Sequence, residues 1–235
     1  MGARYPSYVN LDPWIDVDRL KSLDGFIAER LMQRLGTSGD LAFYTGPFLL
    51  NVEAPPLPGS KLVYLASAAK SDDYYDLDRA DLWQSTSDAE EFAPLMAFLA
   101  TLPFAETGRM ILMYDYDARA VPAHRDHDDP NRCHEFIWLR TNFAKPFFLL
   151  NPETGEKLYV ASHSAWFDTV NQYHGADAGS GLSFSIRVDG RFTDEFRRGF
   201  PEAPPENLAS APALWAAAAR EHENAPAQAP GRPSS

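Results

Sequence analysis

Short β-prone apolar runs follow one another from Gly108 to Phe192, separated by turn residues and with no crossover helix between them. Two stretches with helical periodicity stand before them, at residues 18–35 and 87–102. That arrangement predicts a mainly β protein built as an antiparallel jelly roll, with flanking N-terminal and mid-chain helices. A third observation marks a place within it: Val121–Pro130 gathers His124, Arg125, Asp126, His127, Asp128 and Asp129 directly after an apolar strand.

The chain has 235 residues, enough for one sizeable core, and its 45% hydrophobic and 13% aromatic content is that of a folding sequence. Residues 1–200 are expected to form a single domain, and 201–235 a Pro/Ala-rich, partly disordered tail in which Leu208–Glu223 is a candidate short helix. A net charge of −12 argues against nucleic acid or an anionic membrane as partner, since both reward clustered Lys and Arg. Any anionic ligand must then be captured by local arginines. The single cysteine, Cys133, excludes an intrachain disulfide and a multi-Cys zinc site, and reads as a small packed side chain. The sequence has no apolar run of transmembrane length and no signal-peptide core near Met1, so a cytoplasmic, reducing setting is expected.

In chain order, Leu20, Leu23, Phe26, Ile27, Leu31 and Leu35 define a helix closed by Gly36 and packed on the outside of a sheet. Residues 41–50 and 61–66 are strand candidates separated by a Pro/Gly turn at 55–59, and the acidic, aromatic segment 70–78 is a loop and a candidate lid. Ser87–Glu90 is a capping sequence for a helix whose apolar stripe is Phe92, Leu95, Met96 and Leu99 and which Pro103 ends. Strands are expected at 108–115, 136–141, 147–150 and 157–160, the last two joined by a hairpin-type connection at 151–156. Arg109, the only basic residue of the first of these, is a candidate for an interior cavity.

Residues i and i+2 of a strand share a face, so His124 and Asp126 point together, and His174 can complete a set of two imidazoles and one carboxylate. That donor set with open positions suits a non-haem Fe(II) centre. His127 and Asp129 form a rival triplet, but Pro130 follows at once and favours a turn there. His163 is a rival for the distal position. It precedes Ser-Ala-Trp and reads as a turn residue. Downstream, Leu182, Phe184, Ile186 and Val188 alternate with Ser183, Ser185, Arg187 and Asp189. Arg187 and Ser185 therefore sit on one polar face, where a guanidinium fork matches a carboxylate. A solvated acidic loop and an arginine on a wet strand face are the plainer readings of the same residues.

The ordered set His124-x-Asp126, Arg132-x-His134, Leu139-x-Thr141-Asn142, Trp166-Phe167-Asp168, His174 and Arg187 resembles the 2-oxoglutarate/Fe(II) oxygenases of the aspartyl/asparaginyl β-hydroxylase and proline cis-4-hydroxylase group, over roughly residues 107–192. The resemblance implies a double-stranded β-helix of cupin-like form, with Fe(II) held by His124, Asp126 and His174 and 2-oxoglutarate by Arg187. It makes Ser185, Arg132 and His134 further co-substrate candidates. The stretch Gly175–Ser180 departs from the pattern as an insertion before the arginine strand. The activity implied is O2-dependent hydroxylation of a C–H bond in an amino acid or amino-acid-like small molecule, with release of succinate and CO2. Alternatives are a protein side chain as substrate, a cupin-like metal hydrolase or isomerase without 2-oxoglutarate, and a noncatalytic binding module.

Overall fold

The computed structural model describes residues 8–38, 61–68, 80–116, 118–126, 135–151, 154–170 and 172–199. The tail after 200, the strand expected at 41–50 and the segment 70–78 lie outside the described residues.

Eleven described strands form two antiparallel sheets: β1 (Tyr8–Asn10), β2 (Lys61–Ala68), β3 (Trp83–Ser85), β4 (Phe104–Asp115), β5 (Val121–His124), β6 (Glu135–Leu139), β7 (Phe147–Leu150), β8 (Lys157–Tyr159), β9 (Ser164–Phe167), β10 (Tyr173–Ala176) and β11 (Ser183–Phe192). The larger sheet runs β1-β9-β6-β11-β4-β2-β3 and the smaller β5-β10-β7-β8. From β4 onward the chain passes back and forth between the two sheets, and within each the first strand lies near the last. This order is that of the double-stranded β-helix, or jelly roll. The β7–β8 hairpin closes through Asn151, whose N–H donates to Glu156 O at 2.9 Å, while Gly155 supplies the φ of +73° that the turn requires.

The helical region before β2 is two helices, α1 (Val17–Ser22) and α2 (Asp24–Ser38). Asp16 caps α1 by accepting from Arg19 N at 3.0 Å, and the Leu23 N–H turns back to Leu20, which ends α1. Gly36 does not terminate α2, which continues to Ser38. The second helical stretch is likewise split, into α3 (Ser87–Glu91) and α4 (Ala93–Leu99), because Pro94 has no N–H to continue the first ladder. Thr86, not Ser87, stands at the N-cap of α3, but its hydroxyl donates to Tyr64 O at 2.5 Å and ties the helix to β2. A last helix, α5 (Asp194–Arg198), is capped by Thr193.

Period-2 alternation gives the larger sheet two functions. Leu112, Ile137, Ile186 and Val188 join one buried apolar cluster with Leu20, Ile27, Leu31, Phe92, Leu95 and Phe98 of the helices. Each such side chain, fully buried, contributes about 1.5–3 kcal/mol. The alternate residues Arg109, Ile111, Ser185 and Arg187 instead line an interior cavity of about 450 Å3. The helices thus seal one face of the sheet and free the other for polar groups.

Candidate active site

The cavity is walled by both sheets, and its polar groups converge at the end of β5. His174 of β10 lies opposite His124 of β5 in the ladder, with ring centroids 4.5 Å apart. Asp126 lies past the end of the strand, in a bend, so the strand alternation that predicts a shared face for His124 and Asp126 does not apply there. What returns its side chain to the same side is its backbone N–H, which donates to Thr169 O at 2.9 Å. Asp126 Oδ1 lies 3.7 Å from His124 Nε2 and 3.3 Å from His174 Nε2. One ligand atom from each of the three residues lies within 4.8 Å of the others.

Each imidazole is oriented by the carbonyl two residues before it. His124 Nδ1 lies 2.8 Å from Pro122 O and His174 Nδ1 3.1 Å from Gln172 O. A carbonyl only accepts, so Nδ1 carries a proton, and Nε2 is the ring atom turned toward Asp126. Two imidazole nitrogens and a carboxylate oxygen thus converge on one point, the donor set a divalent cation would take. With metal–ligand bonds of about 2.1 Å, adjacent donors of an octahedron stand about 3 Å apart, so the Asp126 to histidine spacings of 3.7 and 3.3 Å need only a small contraction. The three residues fit a divalent metal in donor type and orientation.

Burial would raise the Asp126 carboxyl, but the His174 contact and the Arg187 guanidinium outweigh it and hold the group well below the usual carboxylate range. Arg187 Nη1 donates to Asp126 Oδ2 at 2.7 Å and its Nε to Asp189 Oδ1 at 2.9 Å. Asp189 is wholly buried and also accepts from Arg109 Nε at 2.9 Å. The Arg187 guanidinium carbon lies 4.1 Å over the Phe136 ring. Its Nη2 is buried with no hydrogen-bond partner. Arg187 lines the cavity, so its wall holds a guanidinium N–H still to be satisfied.

Ser185 lines the same cavity, as does Arg109. Arg132 and His134, like His127 and Asp129, lie outside the described residues. His163 stands apart from the three donors: its Nδ1 lies 3.0 Å from Arg140 O and its ring packs edge-on against Phe143. Sequence reasoning missed Arg140 and Lys145, which also line the cavity. For Arg140 a signal was present, since it stands two residues after Trp138, one past the end of β6. For Lys145, in a loop, there was none.

No family model matches the chain and no curated protein matches it. Among solved structures, a prolyl-4-hydroxylase of Pseudomonas putida aligns at 12% identity with a TM-score of 0.43, over 80% of this chain and 94% of that one. AviO1 of Streptomyces viridochromogenes aligns at 18% identity with a TM-score of 0.44, over 86% and 94%. A dioxygenase for auxin oxidation from Arabidopsis thaliana, in a binary complex with 2-oxoglutarate, aligns at 14% identity with a TM-score of 0.44, over 81% and 85%. The jelly roll assigned to this chain rests on its own strand order.

Proposed function

We propose that the protein is an Fe(II)/2-oxoglutarate-dependent dioxygenase that hydroxylates a C–H bond of an amino-acid-like small molecule, with succinate and CO2 as co-products. The observation that carries this reading is the union, in one cavity, of three convergent metal donors and a buried arginine with an unpartnered Nη2. A simple metal hydrolase needs the first but has no use for the second.

In this reading His124, Asp126 and His174 hold Fe(II), and the metal supplies the oxygen chemistry. The carbonyls of Pro122 and Gln172 fix the two rings by accepting from Nδ1. Arg187 receives the far carboxylate of 2-oxoglutarate on Nη2, with Ser185 beside it, while Asp189 and Phe136 keep the guanidinium in place. Arg132 and His134 remain co-substrate candidates. Trp138, Phe147 and Phe167 line the cavity and would keep water from the reacting centre. At about 450 Å3 the cavity is in the range of small-molecule sites, which favours a small substrate over a folded protein.

The test is succinate and CO2 release from 2-oxoglutarate with Fe(II) and O2 present, alongside calorimetric titration of Fe(II) into the protein. Stoichiometric iron binding with no 2-oxoglutarate turnover or affinity would refute the oxygenase reading and leave a metal hydrolase or isomerase. Absence of iron binding would remove both.

A further inference from the structure

Each cavity-lining cation except one has a carboxylate to answer it. Arg109 pairs with Asp189, Arg187 with Asp126 and Asp189, and Lys145 Nζ with Asp115 Oδ2 at 3.2 Å. Among the described residues, Arg140 lines the cavity with no carboxylate in contact. Its Nε donates to Ser162 O at 3.0 Å and its Nη2 to Val160 O. Its guanidinium carbon lies 4.1 Å over the Phe143 ring and 5.2 Å over that of Trp138. Nη1 makes no hydrogen bond to a described residue, although Arg140 is only 3% exposed.

Carbonyls and rings can hold a guanidinium for purely structural reasons, but they do not neutralise it. Burial pushes the Arg140 pKa down to about 9, against the opposite effect of Tyr8 and Asp12. The Asp12 carboxylate accepts from Ser164 N and Oγ at 2.7 Å and from His163 N at 3.0 Å, and its charge acts on Arg140 without touching it. An arginine remains protonated at neutral pH in any case, so a buried positive charge with no carboxylate in contact stands in the cavity wall.

We propose that Arg140 receives the carboxylate of the organic substrate, and that this substrate is a monoanion with an apolar or aromatic body and not a zwitterionic free amino acid. The inference rests on the oxygenase reading for its charge balance. The three answered pairs cancel, the two charges of Fe(II) would cancel the two of 2-oxoglutarate, and Arg140 is the cavity cation left without a carboxylate in contact. An ammonium group finds no partner, because Asp115 is held by Lys145 and by the Arg119 N–H at 2.6 Å, and Asp126 by the metal site. The body of the substrate would meet Trp138, Phe147 and Phe167. An N-blocked amino acid meets these conditions, as does an arylalkanoic acid.

The experiment is anaerobic isothermal titration calorimetry on the full chain, with and without Fe(II) and 2-oxoglutarate, using 3-phenylpropanoate, 3-phenylpropanamide and L-phenylalanine. The carboxylate is expected to bind at least about tenfold more tightly than the neutral amide or the zwitterion, the worth of one charge-assisted hydrogen bond. These ligand comparisons need no variant. Arg140→Gln should erase the preference and Arg140→Lys should keep part of it. The proposal falls if the three probes bind alike, if none binds, or if Arg140→Gln weakens 2-oxoglutarate more than 3-phenylpropanoate. A preference that persists in a protein without 2-oxoglutarate turnover would sink the oxygenase reading and leave the carboxylate site. Succinate formation without the preference would do the reverse.

Discussion

Replacing Arg187 with alanine separates two quantities that the structure ties together. The side chain makes a 2.7 Å bond to Asp126 and a 2.9 Å bond to Asp189, while its Nη2 is unpartnered. Removing one partner of a buried ion pair costs about 3–5 kcal/mol. Here Arg109 stays bonded to Asp189, so the lower end, about 3 kcal/mol, is expected in urea unfolding. The co-substrate loses a desolvated, charge-assisted partner, which weakens 2-oxoglutarate binding by about 2–4 kcal/mol, or roughly 30- to 900-fold in Kd. Fe(II) should still bind, because all three donors remain. Anaerobic titrations of Fe(II) and then 2-oxoglutarate into the folded variant measure both. Unchanged 2-oxoglutarate affinity in a folded, iron-binding variant would refute the argument and move the clamp to Arg109, Arg132 or Arg140. Arg187→Lys retains the charge but not the fork and should fall between.

Three further outcomes follow from the same geometry. His174→Ala should abolish Fe(II) binding by calorimetry, whereas His163→Ala should retain it, since the His163 ring is engaged with Arg140 O and Phe143; the opposite ranking would displace His174 as the distal donor. Asp126→Ala should end iron-dependent succinate formation and Asp129→Ala should leave most of it, with the reverse result reassigning the first two donors to the later triplet. Gly175→Ala should weaken Fe(II) binding at least tenfold, the worth of about 1.4 kcal/mol. A Cβ there would sit 2.7 Å from Val121 O and 2.8 Å from Phe148 Cζ, forcing β5 away from β10 and His124 away from His174; wild-type iron affinity in that variant would mean that the strand spacing does not set the donor spacing.

Much of this arrangement was legible because it follows from the two-residue period of strands. The alternation from Leu182 to Asp189 put Arg187 and Ser185 on a polar face, and the structure finds both in the cavity. The approach of His124 to His174 could only be suspected, because ladder partners are set by topology and not by local sequence. The rescue of Asp126 by a hydrogen bond to Thr169 was illegible, since it occurs after β5 has ended. The same holds for the Arg109–Asp189–Arg187 arrangement, in which two like charges on neighbouring strands share one buried acid. Helix boundaries failed for a local reason that was available: Pro94 stands inside the apolar stripe that predicted one continuous helix.

Asp126 links the two halves of this site. Its backbone is fixed by Thr169, beyond β9 of the larger sheet, and its two carboxylate oxygens face in different directions. Oδ1 turns toward the histidines of the smaller sheet and Oδ2 toward Arg187 of the larger one. In the oxygenase reading, Oδ1 would join the two histidines in holding Fe(II), and the Oδ2 bond keeps the guanidinium beside them. The carboxylate would therefore tie the metal site to the co-substrate's anchor, and Asp189 holds that arginine from the other side. An asparagine at 126 keeps an oxygen for one neighbour but loses the charge that binds both. Its effect should thus appear in iron and 2-oxoglutarate affinity together, whereas Asp189→Asn should act on 2-oxoglutarate alone.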